Sequence, residues 1–118
     1  MYNYNEAINF LTSKFSNLKS IYESEIDEYE GLPYIFYESV FIKYIVEKIN
    51  SRDEVELYNI FNFVEDMLLN GDEEIKNLIE VAVIESLYYE EDFSSFNTFL
   101  PTFYGDLTKK SFESFETH

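Results

Sequence analysis

Apolar side chains recur at three- and four-residue steps near the start of the chain, which is the spacing of an amphipathic helix. They are Tyr4, Ala7, Ile8, Leu11, Phe15 and Leu18. We therefore predict one helix over residues 3–18. The pattern continues through residues 19–30, where acidic residues crowd in, so this part is either a continuation or a separate short helix. Gly31 and Pro33 then predict a break, because glycine closes helices and proline suits a first turn.

Two longer helices are predicted beyond this break. The first begins near Pro33 and runs to about Ile49 with a broad apolar stripe. The second follows Ser51, and Glu54 lies at the spacing from Ser51 that is typical of a capping box. Its apolar positions are Val55, Tyr58, Phe61, Val64, Met67 and Leu68. Gly71 predicts its end.

The stretch from Asn59 to Asp92 is predicted to organise the fold. Asp72 has the residue type of an N-cap, and two glutamates follow it in the first turn, where carboxylates interact favourably with the helix dipole. Residues 78–89 are almost continuously apolar, and a helix that is apolar on every side is a buried one. Because its link to the preceding helix is so short, the two helices must be antiparallel neighbours. The β-branched residues leave a strand at 81–84 as the local alternative.

The C-terminal part stays rich in aromatic residues and is predicted to fold as well. A short helix runs to Leu100, Pro101 breaks it, Gly105 makes a turn, and a final helical segment runs from Leu107 to about Phe115. We therefore predict an all-α protein with a single domain over residues 1–118. It is a compact bundle of about five to six helices, built around the buried central antiparallel pair.

Charge is the strongest compositional feature of the chain. The sequence holds 24 acidic and 8 basic residues, for a net charge of −16. Residues 1–50 hold 8 acidic and 4 basic residues, whereas residues 51–118 hold 16 and 4, so the second half carries most of the field. A field of this sign repels nucleic acid and anionic membranes and attracts basic proteins. We expect a basic protein partner, with no direct binding to nucleic acid or membrane.

Several classes of chemistry are excluded by the residues that the sequence lacks. There is no cysteine, the single histidine is His118 at the C-terminus, and no glycine-rich phosphate loop occurs. The acidic runs at 72–74 and 90–92 lack the spacing of a calcium loop. We expect no enzymatic activity, no cofactor and no metal. The sequence shows neither a signal peptide nor a long apolar run, which favours a cytoplasmic location.

Two glutamates interrupt the apolar central helix. Glu80 and Glu85 lie about 140° apart around the helix axis, so they cannot converge on one ion. Glu85 falls between the directions of Leu78 and Val81, which predicts partial burial. Its carboxylate is then either unpaired with a raised pKa or held by a lysine or tyrosine.

The predicted partner-binding surface combines acidic helix ends with tyrosines. A phenol offers apolar area with a polar tip and is enriched at interfaces, so the two tyrosines followed directly by an acidic run form the best candidate patch. The candidate residues are Glu65, Asp66, Asp72, Glu73, Glu74, Tyr88, Tyr89, Glu90, Glu91 and Asp92. Tyr29 between Glu28 and Glu30, and Tyr37 beside Glu38, are weaker candidates. Most other tyrosines and phenylalanines are expected to lie in the core.

The central stretch also carries a family resemblance. The run from Asn70 to Glu80 reads Asn-Gly-Asp-Glu-Glu-Ile-Lys-Asn-Leu-Ile-Glu, and Glu85-Ser86-Leu87 and Leu100-Pro101 follow it. With the size, acidity and helical build of the chain, it resembles small helical bacterial immunity-type domains of polymorphic toxin systems over about residues 30–104. The resemblance implies neutralisation of a toxin, such as a nuclease, and identifies neither the toxin nor any contact residue.

Three other functions are compatible with the same acidity. One is a nucleic-acid mimic that inhibits a DNA- or RNA-handling protein. Another is a carboxylate-based metal enzyme, which requires several acids to converge in one pocket. The last is a scaffold domain for an endogenous basic protein. Charge alone does not separate them, and it leaves the oligomeric state open.

Overall fold

The computed structural model describes residues 2–90, 93–96 and 98–116. Within these ranges the regular structure is helical, which confirms the all-α prediction. The helices are α1 (Ala7–Lys14), α2 (Ser16–Ser24), α3 (Ile26–Tyr29), α4 (residues 33–50), α5 (Glu54–Asn70), α6 (residues 73–88) and α7 (Asp106–Glu116). Short 3-10 turns lie at Tyr4–Glu6, Phe93–Phe96 and Leu100–Phe103. The described part of the chain thus has seven helices, more than the sequence predicted.

The additional helices come from two breaks in the N-terminal region. Phe15 is extended, with φ −124° and ψ 97°, so the predicted helix over residues 3–18 is wrong and two helices meet there. The break lets Phe15 enter the core, where its ring lies 5.7 Å from those of Phe41 and Phe63. A second break at Glu25 separates α2 from α3. Residues 19–24 therefore continue α2, and Ile26–Tyr29 form a separate short helix.

Both α4 and α6 contain a wide π-helical segment. These segments are Tyr37–Phe41 in α4 and Ile79–Glu85 in α6, and they pack against each other. The alternative of a strand at residues 81–84 is therefore wrong. In the second segment the Ser86 hydroxyl donates to the Val81 carbonyl at 3.3 Å. A π turn bonds each residue to the fifth before it and spreads side chains differently from an α turn, which fits the broad apolar faces of both helices.

The start of α5 differs from the predicted capping box. Asp53 is the N-cap, since its carboxylate accepts from the Glu56 amide at 3.2 Å, while the Ser51 hydroxyl donates to the Lys48 carbonyl at 3.3 Å. The predicted apolar stripe is also wrong at its beginning, where Val55 is 75% and Tyr58 49% exposed. Its later members are buried, together with three residues on a second side: Leu57, Ile60 and Phe63. The middle of α5 is covered on two sides, so two stripes face apolar neighbours.

One buried cluster extends from Ala7 in α1 to Phe112 in α7. In α6 it includes Ile75, Leu78, Ile79, Ala82, Val83, Ile84 and Leu87. The helix is not covered all round, because Glu80 is exposed and Val81 is half-buried. Glu85 is half-buried, as predicted. Tyr37 is fully buried in this core, so its interpretation as a weaker partner-binding candidate is wrong. Its hydroxyl donates to the Ala7 carbonyl at 2.7 Å, and burial raises its pKa far above the ordinary value.

The C-terminal region is folded but not as a helix broken by proline. Pro101 lies in the first turn of a 3-10 segment, where its fixed φ is tolerated. The last helix begins at Asp106, one position before the predicted start at Leu107. Aromatic rings of this region pack on α5. The centre of the Phe103 ring lies 4.7 Å from that of Tyr58, and the centre of the Tyr104 ring lies 5.0 Å from that of Phe61.

Candidate partner-binding surface

The predicted partner-binding residues do not form one cluster. Glu73 and Glu74 are exposed in the first turn of α6, whereas Tyr88, Tyr89 and Glu90 lie at its other end. At 1.5 Å per residue, roughly 20 Å of helix separates these groups. Glu91 and Asp92 are outside the described residues. Any partner that contacts both ends must therefore span the length of α6.

Two of the predicted carboxylates fix the N-terminal segment against the turn between α5 and α6. Tyr2 pairs with this turn through its backbone, its amide donating to Asn70 O and its carbonyl accepting from Asp72 N, each at 2.9 Å. The Tyr2 hydroxyl donates to Asp66, and this hydrogen bond is the main reason why the pKa of Tyr2 is raised. The Asp72 carboxylate accepts from Ile75 N at 2.8 Å as the predicted N-cap, and from Tyr4 N at 3.4 Å.

Gly71 is required where these elements meet. A Cβ atom on Gly71 would lie 2.3 Å from Ile75 Cγ2 and 2.5 Å from the Met67 carbonyl oxygen. No side chain fits at that separation, so glycine allows α6 to turn closely against the end of α5.

Glu65 caps the last helix from a distant part of the chain. Its carboxylate accepts from the Leu107 amide at 3.1 Å and from both the amide and the hydroxyl of Thr108 at 2.9 Å. Thr108 is fully buried, and a Cβ on Gly105 would lie 2.3 Å from the Glu65 carboxyl carbon. Glu65 is therefore committed to internal bonds at the positive end of α7.

Aromatic rings surround the far end of α6. The Tyr88 ring stacks on that of Phe115, with 5.5 Å between ring centres, and it contacts the Tyr89 ring edge-on, with 5.2 Å between ring centres. Tyr88 is half-buried, whereas Tyr89 is 70% exposed and is followed by exposed Glu90. Of the predicted tyrosine patch, Tyr89 is thus the member that a partner can reach most freely.

Basic side chains neutralise few of the carboxylates. Between residues that the structure describes, ion pairs join Lys48 to Asp53 at 3.9 Å and Lys76 to Glu73 at 3.8 Å. The second pair is at the surface, where such contacts contribute little. The remaining exposed carboxylates lie beyond ion-pair distance of the basic side chains in the described ranges. The acidic field predicted from composition is therefore present at the surface.

In the first half of the chain, the weaker candidate Tyr29 lines a groove that the sequence did not predict. All five acids in residues 23–30 are exposed, and Ile21 and Ile26 beside them are 37% and 40% exposed. An open groove of about 450 Å³ lies between α2–α3 and α4 next to this segment. The available signal was the interleaving of large apolar residues with acids, which a buried helix does not show.

The described residues contain no group of three or more acidic or histidine side chains that could hold a metal ion. Within the same ranges, no helix combines the length and the apolar character needed to cross a membrane.

The fold and the surface define a helical protein in which few of the exposed carboxylates form ion pairs with basic side chains in the described ranges. The chain belongs to the family described as Domain of unknown function (DUF7674), whose model matches residues 8–116. No curated protein and no solved structure matches this chain.

Proposed function

We propose that this protein is an acidic binding module that neutralises a basic partner protein, most simply as a bacterial immunity protein that blocks a toxin such as a nuclease. One observation carries the proposal: exposed carboxylates are distributed over α2 to α7 with few ion pairs among the described residues. A nuclease groove holds phosphates with basic side chains, and carboxylates can occupy the same positions.

The negative charge of the surface also favours one class of partner. Uncompensated carboxylates repel nucleic acid and anionic membrane surfaces, so a basic protein is the favoured partner. We infer that the protein acts in the cytoplasm, where a toxin inhibitor is needed before the toxin leaves the cell. We also infer that α5 and α6 are antiparallel, because two residues link them, and that they form the rigid support of the surface.

The predicted site residues divide into two roles in this proposal. Glu73, Glu74, Tyr88, Tyr89 and Glu90 take part in binding, together with Glu91 and Asp92 next to them. Glu65, Asp66 and Asp72 act indirectly, since their hydrogen bonds hold α7, the N-terminal segment and α6 in place. A substitution in the first group should alter binding, and one in the second group should alter stability.

Co-expression with the product of the adjacent gene, followed by kinetic measurement of the complex, tests the proposal. The association rate should fall at least about tenfold between roughly 0.05 M and 0.5 M salt. The triple variant Glu73→Lys/Glu74→Lys/Glu90→Lys should slow association further at low salt. It should lower the unfolding midpoint only moderately, because Glu73 and Glu74 interact with the dipole of α6 from exposed positions. The matched triple change to glutamine should give an intermediate rate.

Two results would count against this function. A partner with near-neutral charge, or an association rate that is independent of salt, contradicts neutralisation of a basic protein. Recovery of a DNA- or RNA-handling protein that is not a toxin would instead favour the nucleic-acid mimic.

A further inference from the structure

The groove between α2–α3 and α4 combines apolar and polar walls. Its lining includes the buried residues Leu18 and Val40 and the 37% exposed Ile21. The residues that line it come from α2, α3 and α4 and from Glu25 between α2 and α3. A volume of about 450 Å³ is enough for a few side chains of another protein.

Carboxylates surround the two tyrosines of this groove. Glu25 and Glu28 lie near the phenol of Tyr29 and, after burial, contribute to its raised pKa. Tyr44 is 8% exposed and its hydroxyl donates to Glu56. Asp53 and Glu47 also lie near that hydroxyl, and burial is the main cause of its raised pKa. Each aromatic wall is therefore bordered by negative charge.

The two lysines of the groove do not cancel this charge. Lys48 is already bound, since its ammonium group lies 3.9 Å from Asp53 and 5.3 Å from the centre of the Tyr44 ring. Lys43 is exposed and is the remaining basic residue among those that line the groove. Five carboxylates thus face two lysines, so a cationic side chain is favoured over a neutral or anionic one.

The chain itself shows how cations bind to its aromatic rings. The Arg52 guanidinium lies 4.3 Å from the centre of the Phe99 ring and 5.5 Å from that of Phe96. A planar guanidinium can stack on an aromatic ring and pair with a carboxylate at the same time, which an ammonium group does less well. Tyr29 beside Glu25 and Glu28 offers both contacts at the groove.

We propose that this groove docks an amphipathic, arginine-bearing segment of the basic partner, with an apolar side chain against Ile21 and a guanidinium between Tyr29 and the carboxylate of Glu25. This inference rests on the proposed function and adds the surface that anchors the partner. The acidic ends of α6 then contribute mainly to the rate of encounter, whereas the groove determines how long the complex lasts.

Titration with a designed peptide, followed by NMR, tests the groove directly. The probe is a helical peptide of about 14 residues with arginine and leucine at three- and four-residue spacing, and its control has glutamine in place of every arginine. The arginine peptide should shift the signals of Ile21, Tyr29 and Val40 most. It should bind at least about tenfold more tightly than the glutamine peptide at low salt.

Two pairs of substitutions separate the groove from the general field. Ile21→Ser should weaken peptide binding by about five- to tenfold, whereas Val55→Ser, at a more exposed aliphatic residue, should leave it unchanged. Glu25→Gln should weaken binding more than Glu113→Gln, although each change removes one exposed negative charge. All four positions are exposed or at a groove edge, so the variants should fold.

The possible outcomes distinguish this inference from the proposed function. Equal effects of Ile21→Ser and Val55→Ser, absence of peptide binding, or signal shifts spread over the whole acidic surface would overturn the groove and leave the partner experiment to decide the function. Equal binding of the arginine and glutamine peptides within the groove would overturn its preference for a cation, while the salt dependence of the partner complex would still decide the proposed function. Loss confined to Ile21→Ser and Glu25→Gln supports the groove.

Discussion

Acidic residues have opposite uses in two regions of this molecule. Around the turn between α5 and α6, Glu65, Asp66 and Asp72 are half-buried and accept hydrogen bonds from backbone or side-chain donors. In residues 23–30 all five acids are exposed, and none is ion-paired with a described basic residue. The residue types are the same in both regions. The presence of oriented N–H and O–H donors decides whether a carboxylate holds the fold or stays available to a partner.

The largest expected difference between the two regions follows from removing Glu65. Glu65→Ala leaves two amides in the first turn of α7 and the buried Thr108 hydroxyl without their acceptor. We expect the free energy of unfolding to fall by about 3 kcal/mol in urea denaturation. Glu28→Ala, at an exposed acid of the other region, should change it by less than about 0.5 kcal/mol. Similar losses for both variants would break the comparison.

A second expected effect concerns how closely the turn is packed. Gly71→Ala places a methyl group against Ile75 and the Met67 carbonyl, so α5 and α6 must move apart. The expected destabilisation is about 2 kcal/mol, measured as a lower thermal or urea midpoint. Leu69→Ala is the matched control, because Leu69 is 63% exposed beside the same turn and should have little effect. An unchanged midpoint for Gly71→Ala would show that the turn has room to adjust.

A smaller effect should appear as pH dependence near Tyr2. The hydrogen bond to Asp66 raises the Tyr2 pKa above its ordinary value of 10.0. When folding raises the pKa of a phenol, its protonated form contributes to the stability of the folded state. This contribution is complete below pH 10.0 and is lost as the pH rises through the pKa of the folded state. Asp66→Asn should lower the Tyr2 pKa and cost about 0.5 to 1 kcal/mol of stability at neutral pH.

Tyr29 provides the comparison for this titration in the exposed region. Its pKa is raised first by burial and then by Glu25 and Glu28. Glu25→Gln should therefore move the Tyr29 pKa less than Asp66→Asn moves that of Tyr2. NMR titration of labelled tyrosine rings measures both values, and a larger response at Tyr29 would contradict the assignment of causes.

The smallest expected effect is on the stability of the exposed region itself. Glu25→Gln/Glu28→Gln removes two neighbouring negative charges that lack ion-pair partners among the described residues. The free energy of unfolding should change by no more than about 0.5 kcal/mol, in the stabilising direction, because like-charge repulsion falls. Urea denaturation at low salt checks this. A clear loss of stability would mean that these carboxylates also hold the fold.

Features that depend on residues close together in the sequence were predictable. Asp72 is the N-cap of α6, and Pro33 begins α4, because both signals act within one helical turn. The half-burial of Glu85 followed from its angle around the helix axis. The prediction of the all-α fold rests on many such local patterns and is confirmed.

Other features depend on contacts between distant parts of the chain. The cap on α7 comes from Glu65, which precedes Leu107 by 42 positions, so no local pattern reveals it. The break at Phe15 is set by Phe41 and Phe63, which accept its ring, while the apolar spacing around it looks continuous. The π segments of α4 and α6 could not be predicted, because the sequence patterns were interpreted with α-helical spacing throughout.

The pairing of Tyr2 with Gly71 also bears on the kinetics of folding. It joins two positions that lie roughly 70 residues apart in the sequence, and such distant contacts are costly to close while the intervening chain is unfolded. The acceptor on Asn70 and the donor on Asp72 are correctly placed only once α5 and α6 have met. We therefore expect Tyr2 to dock late, so that its bonds slow unfolding more than they speed folding and lengthen the lifetime of the native state.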